Sequence, residues 1–249
     1  MGTVVRERPT YVVIPFKDEI EMTLHVLRLC LQETTVRTVL LYDNGSSEES
    51  VLALAEGISE IEGTGGNPDG KDIEYIQAPG LSIYQMWNAG WQWVIDQRPG
   101  PFNIAFLNND INFIPGLITK MATTLRRRED ALIIYPDYDR RVEQGIGKGA
   151  SNKLTHGTKK DGGMCGHCFI TRGEAVKYGL PMFDEQFEWW CGDDDFARNV
   201  DAYPASQYRL VGWPCDHVNE GTAGNGSNDW THAAKQRDID RLVAKWGYF

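Results

Sequence analysis

IAFLNNDINFIPGL, residues 104–117, decides how the chain is read. Ile104 to Leu107 form a short apolar run with the character of a buried strand, and it stops at Asn108, Asn109 and Asp110. Apolar residues resume at Ile111 and Phe113. Two amides and an acid at that place either satisfy the backbone of a local turn or stand at a sheet edge where chemistry is done.

The same pattern recurs upstream. Tyr11 to Pro15 reads as a buried strand that gives way to Phe16-Lys17-Asp18. Thr38 to Tyr42 reads as another, ending in Asp43-Asn44-Gly45-Ser46-Ser47. Further strands are expected at Ile73 to Gln77 and Ala131 to Tyr135. Helical periods lie between them. Ile20, Leu24, Leu27 and Leu31 mark one face, behind a capping-box pattern at Asp18 and Glu21. Ser50 to Ile58 is helical in pattern, and a helix from Ser82 carries Ile83, Met86, Trp87, Gly90 and Val94 on one side. Pro115 suits the first position of another. Trp230 to Trp246 reads as a final helix. Strands alternating with helices predict an α/β domain with a mostly parallel sheet covered on both faces. Ligands of such sheets bind beyond the carboxyl ends of the strands, where these polar segments fall.

Composition narrows the function. The chain has 249 residues, enough for one elaborated α/β domain. Its net charge of -10 lacks the basic footprint of a general nucleic-acid binder. Arg126-Arg127-Arg128 is read as the cationic end of a helix. No apolar stretch is long enough to span a membrane, and the N-terminus lacks a secretory pattern. Five cysteines, an odd and sparse set, fit a reduced cytoplasmic setting. Cys165-Gly-His-Cys168 is a lone pair, read as a strand edge rather than a zinc site. GIGKGAS at 145–151 lacks the spacing of a phosphate-binding loop. Residues 137–163 are glycine-rich, with Arg140, Arg141, Lys148, Lys153, Lys159 and Lys160 among them, and are expected to form a mobile loop over substrate.

A carboxylate such as Asp110 at a sheet edge suits a hard divalent cation, Mg2+ or Mn2+, whose other ligands are substrate phosphates. Taken together, the segments YVVIPFKDE, TVLLYDNGSSEES, GLSIYQMWNAGWQWV, IAFLNNDINFIPG and GMCGHCFITRGEAVKYGLPMFDEQFEWWCGDDDFARNV resemble, in order and spacing, the family 2 glycosyltransferases. The resemblance covers about residues 10 to 220 and implies the GT-A (Rossmann-like) fold, a single domain over 1–249. Residues 10–135 would be the nucleotide-sugar-binding half, 136–227 a smaller acceptor-side part, and 228–249 a C-terminal helix.

The resemblance also implies roles. Pro15, Phe16 and Asp43 would shape the site of the donor base and ribose, with Asn88, Asn108 and Asn109 on the donor side. Asp110 takes the last position of a DxD-like segment and would bind the metal bridging the diphosphate, with His217 completing the site. Asp193 or Asp194 would be the base of an inverting transfer. Asp193 is favoured if Phe196 aligns with the apolar residue after the family's acid motif. Gly192 departs from the usual Glu-Asp pair, which leaves the base open between the two. Gly163, Trp189 and Trp190 would face the acceptor, where flat rings suit sugar faces. Arg198 is a candidate helper to the leaving group. The implied activity is transfer of a monosaccharide from a nucleotide-diphosphate sugar, most often UDP-linked, to a hydroxyl acceptor on a glycan, protein or modified base. The rivals are a non-catalytic nucleotide-sugar or carbohydrate-binding module and a sugar-phosphate nucleotidyltransferase. Donor sugar, acceptor and oligomeric state are not legible.

Overall fold

A computed structural model describes residues 8–148, 154–157, 164–202, 206–218 and 229–247. The strands are β1 (Thr10–Phe16), β2 (Val36–Asp43), β3 (Asp72–Gln77), β4 (Asn103–Leu107), β5 (Ile111–Phe113), β6 (Ala131–Asp137), β7 (Leu154–Gly157), β8 (Cys168–Arg172) and β9 (Ser206–His217). The helices are α1 (Ile20–Leu31), α2 (Glu48–Gly63), α3 (Ile83–Gln97), α4 (Leu117–Arg127), α5 (Gly192–Asp201) and α6 (Asp229–Trp246).

The strands form one sheet in the order β3-β2-β1-β4-β8-β6-β9-β5, with β7 on β9. β3, β2, β1 and β4 are mutually parallel, and β6 is parallel to β9. β8 runs antiparallel to both β4 and β6, so β6 and β9 share the direction of the first four strands. The sheet is therefore mostly parallel, with β5, β7 and β8 reversed.

Alternation along β1 builds two cores. Val12 and Ile14 join Leu24 and Leu27 of α1 and Met121 of α4 on one face. Tyr11 and Val13 join Trp87, Trp91 and Phe106 on the other. Both faces are covered, so β1 is buried throughout. Gly90 lets α3 lie flat on the sheet: a Cβ there would fall 2.7 Å from Val13 Cγ2.

Two local expectations fail for physical reasons. The Asp18–Glu21 capping box does not form, because Asp18 and Glu19 both take left-handed backbone (φ 53 and 47). That conformation costs about 1–2 kcal/mol per residue. It is offset by three bonds to the β2 end. Asp18 N–H donates to Ser46 Oγ at 2.7 Å, and its carboxylate accepts from Ser47 N at 2.9 Å and Ser50 Oγ at 2.7 Å. At about 1 kcal/mol each, these outweigh much of the strain and lock the β1 and β2 ends together. Pro115 does not open α4, which starts at Leu117 after Gly116 in left-handed backbone (φ 94). The cap comes from a distant, fully buried residue: Glu33 accepts from Gly116 N at 2.6 Å and Thr119 N at 2.8 Å.

Part of the expected loop at 137–163 is ordered structure. Asp137 ends β6, Val142–Gln144 is a turn of 3-10 helix, and β7 adds an antiparallel partner to β9. No described helix is long and apolar enough to cross a membrane.

Candidate active site

The interruption at Asn108–Asp110 lets the chain leave the main sheet. After β4 it turns into β5, which pairs with the far end of β9 and sets Ile111 opposite His217. Each polar residue of the turn has a separate task. Asn108 N–H donates to His167 O at 2.9 Å, and its side-chain amide lies 3.5 Å from His217 Nε2. Asn109 points the other way and donates to Thr23 Oγ1 at 3.1 Å. Asp110 is 7% exposed, and its Oδ1 lies 2.9 Å from His217 Nε2.

A third residue completes this corner. The His167 ring stacks on His217, with centroids 5.1 Å apart and an interplanar angle of 13°. Tyr138 packs edge-on against His167 at 4.4 Å. Burial, reinforced by the neighbouring His217, pushes the His167 imidazole down to about 3. Between its ordinary 6.5 and that value, the unfolded chain takes up a proton that the native state refuses. Native stability contributed here is thus lost as pH falls through this window. In metal-free His167→Phe protein, which keeps a flat ring against His217, that loss should vanish. Urea unfolding near neutrality and at about pH 5 should show the stability difference moving in the variant's favour at the lower pH. A difference independent of pH would contradict the neutral, buried imidazole.

The acidic cluster opens α5. Asp193 Oδ2 accepts from Gly166 N at 2.7 Å, and its Oδ1 lies 3.3 Å from Tyr84 Oη. A Cβ on Gly166 would meet Asp193 Cβ at 2.8 Å, so only glycine admits this approach. Burial and the Asp193 charge push the Tyr84 phenol well up, which keeps it a proton donor. Asp194 is half-buried beside it. Asp195 is fully buried and engaged elsewhere, accepting from Trp246 Nε1 at 2.7 Å and Lys245 Nζ at 3.0 Å. Arg198, on the buried face of α5, places its guanidinium 6.0 Å from the Trp246 ring centroid.

Gly166 and His167 are adjacent in sequence. One holds Asp193 and the next stacks on His217, so the acid of α5 and the Asp110–His217 pair stand within a few residues' reach of each other.

At the β1–β2 end, Pro15 and Phe16 are buried. Asp43 is 2% exposed and its carboxylate accepts three hydrogen bonds: Ser46 N and Oγ donate to Oδ1 at 2.8 and 2.6 Å, and Tyr75 Oη to Oδ2 at 2.6 Å. The exposed ring here is Tyr75, 6.5 Å from Phe16. Asn88 sits in α3 with both ends of its amide used. It donates to Phe183 O and Glu185 Oε1, each at 2.9 Å, and accepts from Phe183 N at 3.0 Å. It thus ties α3 to the 183–185 segment. Trp189 is exposed and Trp190 half-buried in the turn before α5. Gly163 lies outside the described residues.

His167, Tyr84 and Tyr75 are the residues that sequence reasoning passed over. His167 was hidden inside a lone CxxC; its place just before the short strand-like run CFITR was the available signal.

Among the described residues no cluster of three or more histidine, cysteine or acidic side chains could enclose a metal alone. Asp110 and His217 form a pair, and the buried Asn108 Oδ1 beside them has no hydrogen-bond partner. Two or three protein atoms with vacant positions suit a cation whose shell is completed by a diphosphate.

No family profile and no curated protein matches the chain. Solved structures do match. A mannosyltransferase from Pyrobaculum calidifontis in complex with GDP-Man and Mn2+ is 11% identical, with a TM-score of 0.63 over 95% of this chain and 65% of its own. Glucosyl-3-phosphoglycerate synthase from Mycobacterium tuberculosis, with Mn2+, UDP-glucose and phosphoglyceric acid, is 15% identical, with a TM-score of 0.59 over 97% and 81%. S. aureus TarS is 10% identical, with a TM-score of 0.61 over 95% of this chain but 44% of its own, so the chain spans less than half of that protein. The strand order, the interrupted edge at Asn108–Asp110 and these matches agree on one architecture: the chain adopts the GT-A fold.

Proposed function

We propose that the protein is a metal-dependent, inverting glycosyltransferase that moves a monosaccharide from a nucleotide-diphosphate sugar, UDP-linked by preference, to a hydroxyl acceptor in a cytoplasmic setting. The observation that carries this reading is the Gly166–His167 step, which brings Asp193 to the Asp110–His217 corner. The nucleotide-sugar and Mn2+ complexes of the matched structures support it.

In this reading Phe16, Tyr75 and Asp43 form the base and ribose corner, with Tyr75 as the exposed ring. Asp110, His217 and Asn108 Oδ1 would hold Mn2+ or Mg2+. Once bound, the cation supplies Lewis-acid stabilisation of the departing diphosphate. Asp193 is the base. The acceptor oxygen forms its bond to the anomeric carbon as the bond to the diphosphate breaks, and the hydroxyl proton passes to the Asp193 carboxylate. Its bonds from Gly166 and Tyr84 leave lone pairs on both oxygens and fix their direction. Trp189 and Trp190 offer ring faces to the acceptor.

Calorimetry with UDP, with and without Mn2+, tests the donor site. Binding should strengthen at least about tenfold with Mn2+, and a hydrolysis assay should release UDP from UDP-glucose or GDP from GDP-mannose. Metal-independent binding without turnover would favour the non-catalytic module instead.

A further inference from the structure

The final helix has an unusual buried face. Ala234, Asp238 and Leu242, at four-residue steps, are the buried positions among its described side chains, and a carboxylate stands at their centre. Asp238 is fully buried. It accepts from three successive backbone amides: Glu188 N at 3.1 Å, Trp189 N at 3.0 Å and Trp190 N at 3.0 Å. Arg241 Nη1 donates to it at 2.8 Å. Consecutive amides turned toward one point make an anion-binding nest, here filled by a side chain of the same molecule. Burying a charge is unfavourable unless charge-assisted bonds compensate, and these four do so while fixing the turn that supplies three of them.

That turn leads directly into α5. Trp190 is followed by Cys191 in left-handed backbone (φ 64), Gly192 and Asp193. On the other side of Asp193, α6 takes hold again. Lys245 and Trp246, both about two turns beyond Asp238, bond Asp195, and the Trp246 ring lies near Arg198. One helix thus grips the chain both before and after the acid.

We propose that Asp238 is a positioning residue for the acceptor side: by filling the amide nest of 188–190 it sets the approach of α5 and, with Lys245 and Trp246, the aim of Asp193. This rests on the reading of Asp193 as the base. A merely structural anchor would affect stability and every kinetic constant together. A positioning residue lowers the rate of the chemical step and spares donor binding.

The test uses the full chain as Asp238→Ala and Asp238→Asn. Hydrogen exchange of the 188–190 amides should accelerate in the alanine variant and less in the asparagine variant, which keeps shape and one acceptor oxygen. With UDP-glucose as donor and water as acceptor, kcat should fall about tenfold in Asp238→Ala and be partly restored in Asp238→Asn. KM for UDP-glucose and UDP affinity with Mn2+ should stay within about twofold of wild type. If Asp238→Ala fails to fold, the same split is read from Asp238→Asn. Unchanged kcat in both, or kcat and KM moving together, would overturn the proposal alone. Wild-type protein that neither binds UDP with Mn2+ nor hydrolyses UDP-glucose would overturn the proposed function, and this assignment with it.

Discussion

Asp110→Ala protein should remain folded and lose at least about a thousandfold in donor hydrolysis and in transfer, the equivalent of about 4 kcal/mol of transition-state stabilisation. The fold survives because the side chain makes only a modest contribution to it. The His217 contact is worth about 1 kcal/mol net, whereas β5 and β9 remain paired through their backbones. The activity does not survive because, among the described residues, Asp110 is the carboxylate paired with His217 at the proposed cation site. Calorimetry should show the same loss from the other side, with Mn2+ no longer strengthening UDP binding. Asp110→Asn separates charge from shape: it keeps an oxygen facing His217 and should still lose most of the metal effect. His217→Ala should be milder, since Asp110 and Asn108 remain. Undiminished turnover in folded Asp110→Ala would remove the metal from the proposal.

Asp193→Asn should reduce turnover by about 10²–10⁴ while UDP affinity in Mn2+ is retained, the pattern expected when a general base is removed and the donor site is left intact. Asparagine can still accept from Gly166 N, so the backbone around it has no cause to move. Asp194→Asn serves as the internal comparison, with a loss of less than about tenfold expected. A reversed order would transfer the base to Asp194. Asp195→Asn should behave differently from both. That carboxylate is tied to Lys245 and Trp246, so its loss weakens the α5–α6 contact and appears first in stability.

The parts of this fold that were legible are those where a local pattern and the tertiary outcome agree. β1, β2, β4 and β6 lie within a few residues of their apolar runs, because strands buried on both faces carry no polar interruption. α3 begins after Ser82, whose capping box with Gln85 is written locally in the chain. The failures share one cause: the deciding partner is remote. Nothing near Leu117 announces that Glu33, 83 residues before Gly116, caps α4. Asp18 has the spacing of a cap but is claimed by serines at the end of another strand. At the candidate site, Asp110 and His217, which lie 2.9 Å apart in the structure, had both been singled out from their company in the sequence, whereas the choice between Asp193 and Asp194 was left open. That Asp43 is already held by Ser46 and Tyr75 was not readable, because a motif gives residue type and order but not which hydrogen bonds are already taken.

β9 has a consequence for how the molecule comes into being. Its twelve residues close the sheet beside β6 and then present His217 to Asp110, a partner 107 residues earlier in the chain. A nascent polypeptide emerging from the ribosome can lay down β1 through β4, with the Phe16–Asp43 corner at their tips, long before this histidine is synthesised. The Asp110–His217 corner is thus among the last features to mature; under the proposed function, a half-made chain would offer the donor a landing place without the means to activate it.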